Sequence, residues 1–231
     1  GANNVAIGHA SMLSCTSGGT NTAVGSNSGN ALTSGNGNTI LGANAGDAIT
    51  TGDNNTALGA HALTTAQTVG SITAVGYNSG NNLTTAPSCA FFGAYSGDAV
   101  TTGGYHVAVG AGALGACTTS TGNTAVGFNA STSMTTGANN VAIGNGAGDA
   151  QTTGDGNVFI GADAGGAQTT ASNNVLIGRN AGDAITTGHT SVVIGQNAGS
   201  AMTTSSENVL IGNNVAALLT TGAQNIIIGD N

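Results

Sequence analysis

The sequence predicts an all-β chain: a parallel β-solenoid (β-roll) of about fourteen 17-residue coils, with residues 1–231 forming one repeat array. Three observations carry this. Glycine recurs at Gly8, Gly25, Gly42 and onward every 17 residues to Gly229, without insertion or deletion. The residue before each marker glycine is always apolar, from Ile7, Val24 and Leu41 to Ile228. The chain is also rich in residues that disfavour helix, with 41 glycines beside many Asn, Thr and Ser. Helical repeats need about 33 residues or more, so one coil of short extended segments is what a period of 17 can hold.

Each element of the coil follows from a column of the repeat. The tetrad ending before the marker, such as Asn140 to Ile143, is the first strand. A glycine fixed in every coil marks a corner that needs φ > 0 or has no room for Cβ. The x-T-T segment, such as Gln151 to Thr153, reads as a second short strand, with one Thr column inward and the other outward. Four residues before the marker, Asn occupies ten of fourteen coils, a register at which carboxamides can stack into hydrogen-bonded ladders.

Adjacent strand residues face opposite ways, yet the two residues preceding every marker are both apolar. If the first of these columns back from the glycine faces the core, the second faces solvent. That second column is Ala6, Ala23, Ile40, Ala57, Ala74, Phe91, Ala108, Ala125, Ala142, Phe159, Leu176, Val193, Leu210 and Ile227. A continuous exposed apolar stripe marks an association surface, so a homo-oligomer is expected, most simply a homotrimer packed along this column.

Charge narrows the partners. The formal net charge is −8 and Arg179 is the only basic side chain, so nucleic acid and anionic membrane surfaces are excluded. Membrane insertion is not expected, since no apolar run approaches about 20 residues. The array starts and stops inside its own pattern, which reads as an excerpt of a longer fibrous chain.

NNVAIG at Asn3–Gly8 and Asn139–Gly144, with NNTALG at Asn54–Gly59 and GNTAVG at Gly122–Gly127, resembles the head repeat of trimeric autotransporter adhesins. The same N-T-A-I-G repeats followed by A-G and T-T-G are similar to phage tail-fibre shafts. The resemblance implies a left-handed roll, three chains side by side with the N-x-A-[IV]-G segments near the three-fold axis, and work in attachment. The additional T-T-G arm departs from the shorter adhesin repeat and favours the fibre.

Gly110, Gly112 and Gly115 match a dinucleotide loop, but only Gly110 belongs to the marker column, and no helix or nearby acid follows. No cofactor is expected. Asp47, Asp98, Asp149 and Asp183 read as turn residues; the first three are too widely spaced along the array to share an ion. Cys15, Cys89 and Cys117 read as small buried residues, with Cys89 in the Asn column pairing with neither of the others. His9, His61, His106 and His189 read as surface loop residues without a catalytic partner, so neither a catalytic nor a metal site is expected. Tyr77, Tyr95, Tyr105 and Phe128, with His106, are the candidate contacts to a cell-surface receptor or glycan. The Thr columns leave open an ice-binding solenoid.

The expectation is therefore a non-enzymatic structural and adhesive fibre segment. Its place is extracellular, in a virion tail fibre or on a cell surface, with a bacterial adhesin head as the alternative.

Overall fold

The computed structural model describes residues 1–230, and the fold it shows is a parallel β-solenoid. Each coil contributes one three-residue strand. The chain divides into two compact units, residues 1–119 and 120–231. The first runs from β1 (Val5–Ile7) to β7 (Val107–Val109), the second from β8 (Thr124–Val126) to β14 (Ile226–Ile228). Within each unit neighbouring strands pair in parallel and in exact 17-residue register, as Ala57 beside Ala74 and Phe159 beside Leu176.

Stacking identical backbone over identical backbone explains the marker glycine. Gly42 sits at φ 137°, outside the range of L side chains, and a Cβ there would lie 2.6 Å from the carbonyl carbon and oxygen of Gly59. The turn that follows passes twice through the left-handed region, at Asn44 (φ 55°) and Gly46 (φ 52°). These positions recur as Asn and Gly columns because Asn tolerates that conformation and Gly is indifferent to it.

The Asn column before the strand is a buried ladder, as expected. The Asn38 side-chain Oδ1 accepts from the backbone N–H of Asn55 at 2.9 Å and from its Nδ2 at 3.0 Å. The Nδ2 of Asn38 donates to the carbonyl of Gly52 across its own coil at 2.8 Å. In the second unit Asn140 makes the same set with Asn157 and Gly154.

Two expectations are corrected. The x-T-T segment forms no second strand; its inward residue is the one before the Thr pair, such as Leu32, Ile49 and Ile185, all fully buried. Both Thr columns lie at the surface, and the first is tied up between coils, with Thr33 Oγ1 donating to the Thr50 carbonyl at 3.0 Å. The second correction concerns the proposed interface column. Ala23, Ile40, Ala57, Ala74, Phe91, Ala108, Ala125, Ala142, Phe159, Leu176, Val193 and Leu210 are the core, each with no exposed surface. Alternation holds, but its sense is reversed: the middle residue of each strand points inward and both flanking residues point out. Ala6 and Ile227 share the column at the ends of the array and are exposed there.

The reason is volume. A coil this thin has few inward positions, and they compensate one another. Phe91 shares its coil with Gly97, whose added Cβ would lie 2.5 Å from the ring, while Ala57 shares its coil with Leu63. The small residues of the middle column are core filler beside larger partners.

Two stability tests follow. Asn38→Ala leaves the Asn55 N–H and the Gly52 carbonyl buried and unpaired, and denaturant unfolding is expected to register a loss of about 2–4 kcal/mol. Asn82→Ala, on an exposed corner, should change stability by less than about 0.5 kcal/mol. Gly97→Ala, at φ 57° and against the Phe91 ring, should cost about 2–4 kcal/mol, with Phe91→Leu restoring part of it in a double-mutant cycle.

Candidate functional site

Side-chain chemistry concentrates on three surfaces of the coil. The first is the strand face. Its outward columns are the residues flanking the buried middle one. In the first unit they mix Thr with Val and Leu, as in Thr39 and Leu41. In the second they are Val and Ile in five successive coils, from Val141 and Ile143 to Val209 and Ile211. Leu41, Phe92, Ile143 and Ile160 are among the exposed large hydrophobics of this face. A flat, uncharged, β-branched surface of this kind is costly to leave in water.

The second surface is the corner after the marker glycine. Here the first unit carries aromatic rings on successive coils. Tyr77 is 47 % and Tyr95 46 % exposed. Their ring centroids are 5.4 Å apart at 80°, and the His61 ring stands 6.0 Å from Tyr77 at 89°. The other candidate contacts separate from this group. Tyr105 is exposed on a different corner, before the strand, and Phe128 is exposed in the second unit.

His106 is corrected: it is 1 % exposed and occupies the Asn-ladder position of its coil, so it is closed to any external partner. Its Nε2 lies 3.7 Å from the Cys117 sulfur, also fully buried. Ile72, Cys89 and His106 replace Asn on three successive coils, interrupting the ladder. Cys89 and Cys117 are buried and Cys15 partly so. Burial pushes the Cys89 thiol upward, and the nearby Cys117 adds to that.

No family model matches the chain, and neither does any curated protein or solved structure.

The third surface bears the carboxylates of the G-D-A turns. Asp47, Asp98, Asp149 and Asp183 are all raised above the usual carboxylate range, chiefly by partial burial. For Asp47 and Asp183, one carboxylate oxygen is buried without a hydrogen-bond partner. The sequence reading passed over Asp163, whose charge raises both Asp149 and Asp183 further. It sits in the left-handed corner column at φ 55°, which brings it beside the turns of both neighbouring coils. Among the described residues no three His, Cys, Asp or Glu side chains are placed to hold a metal ion.

These shifts fix the sign of the acid response. A carboxyl raised in the folded state binds its proton more tightly there than in the unfolded chain. The desolvation penalty present at neutral pH is therefore relieved as pH falls through the raised values, and fully relieved below the unfolded value of about 3.9. The melting temperature should rise as pH is lowered from neutral toward about 3.9, and Asp98→Asn with Asp149→Asn should flatten that rise. A melting temperature that falls steadily on acidification would contradict this account.

Proposed function

We propose that this chain is a structural and adhesive fibre segment, part of a phage tail fibre or a similar extracellular appendage used in host or surface attachment. It works without catalysis, as a homotrimer of side-by-side solenoids. The observation that carries the reading is the outward strand face: two columns of mostly Val, Ile, Leu and Thr, with Ala90 and Phe92, running along each unit with no charge among them.

A thin coil has too few inward side chains to bury much apolar surface alone, and solenoid coils touch only their neighbours. Packing strand face against strand face adds the missing burial. This moves the expected interface off the Ala142 column and onto its flanks, Val141 and Ile143. The low charge of the remaining surface and its Asn and Thr ladders suit a rigid spacer that displays its corners. The repeat resemblance to tail-fibre shafts and adhesin heads supports the same role.

Sedimentation velocity tests the association. The chain should sediment as three copies at micromolar concentration, and Ile160→Lys combined with Ile177→Lys should release monomers that keep their β-sheet circular dichroism. Phe159→Lys, in the core column, should instead unfold the chain. A wild-type monomer across that concentration range would remove the bundle from the proposal.

A further inference from the structure

The aromatic corner of the first unit is poorly explained by folding alone. In its column, two residues after the marker, the neighbouring coils carry Asn27, Asn44 and Asn78, while His61 and Tyr95 take the same place. All of these positions are left-handed, with His61 at φ 60° and Tyr95 at φ 58°. Asn is at ease in that conformation; a bulky aromatic residue is strained by about 1 kcal/mol or more.

Asn in this column also bonds from coil to coil. The Asn27 Nδ2 donates to Asn44 Oδ1 at 3.1 Å, and in the second unit Asn197 donates to Asn214 at 3.0 Å. His61 and Tyr95 give up that ladder; Tyr95 gains no burial in exchange, since nearly half of it remains in solvent, and His61 is only partly buried. Strain without full burial, at two coils flanking the exposed Tyr77 ring, marks a surface suited to contact.

We propose that the His61–Tyr77–Tyr95 corner is a binding site for neutral pyranose saccharides. The inference deepens the adhesive half of the proposed function and rests on that half alone. Centroid spacings of 5.4 and 6.0 Å, on the scale of one sugar ring, let a pyranose set its C–H face on one ring while touching the edge of the next. Perpendicular rings offer a π face and a C–H edge to the same ligand. The Asn78 carboxamide shares the corner column and is of the right chemistry to bond sugar hydroxyls.

Charge selects neutral ligands. The chain carries a net charge of −8, and Asp47 is close enough to His61 to interact with it electrostatically. Uronic and sialic acids therefore meet a repelling field. Tyr105, alone on its own corner, takes no part.

Saturation-transfer NMR on the full chain tests this, with maltohexaose, mannohexaose and chitotetraose as neutral probes and oligogalacturonate as the acidic one. Saturating the tyrosine ring protons should transfer signal to ring C–H protons of at least one neutral probe and not to the acidic one. Tyr77→Ala and Tyr95→Asn should each weaken that binding by about tenfold or more, and Tyr105→Ala should leave it unchanged. Tyr95→Asn restores the residue its column prefers, so it should fold and melt like the parent. Absence of transfer to every neutral probe, equal transfer to the acidic probe, or full binding by Tyr95→Asn would each overturn the proposal. The same variants in the centrifuge keep the two claims apart, because association depends on the strand face and not on this corner.

Discussion

The carboxamide of the buried Asn column is the contact on which the rest of the coil depends. A backbone that closes a coil in 17 residues leaves polar groups facing inward that no strand ladder can reach. Asn38 answers two of these at once: its oxygen takes the N–H of Asn55 in the next coil, and its nitrogen takes the carbonyl of Gly52 in its own. That side chain therefore ties together both the width of a coil and its register on the next, a register the coils with Ile72, Cys89 and His106 keep through their strand pairing. Asp would lack the donor and Gln would be too long for the same reach.

Once the register is locked, the remaining columns are consequences. Each corner must accept the backbone of the next corner at van der Waals distance, so the marker position excludes Cβ. The interior becomes a narrow slot in which a large residue is tolerated only opposite a glycine, as Phe159 is opposite Gly148 and Gly165. The strand, only three residues long, can send one side chain inward and must send two outward. An apolar outer face is thus built into a solenoid whose strands are rich in β-branched residues. The corners, by contrast, carry little of the packing, and there the sequence is free to vary. The aromatic group on the first unit and Asp163 on the second are such variations.

Much of this was legible in the sequence. The 17-residue spacing, the all-β class, the Asn ladder and the corner role of Gly8 and its successors followed from periodicity and residue type. The aromatic residues Tyr77 and Tyr95 were picked out because they cluster beside markers. Other features were hidden. His106 looked like a loop residue because nothing about histidine announces that it stands in for a buried Asn, although its position four before Gly110 held that signal. The pairing of His61 with Tyr77 joins residues in different columns of adjacent coils, which spacing along the chain does not reveal.

The sequence by itself determined the repeat, the position of the one strand that each coil does form and the identity of the stacking columns, because a fixed period forces like residues into like places. What only the tertiary structure decided is which side of the strand is inside. Alternation says that Ala142 and Ile143 face opposite ways, but parity has no sign. The sign is set by how much volume the rest of the coil leaves beside each strand. With Gln151 already in the slot of that coil, the small Ala142 fits the core and the large Ile143 is turned out to the surface.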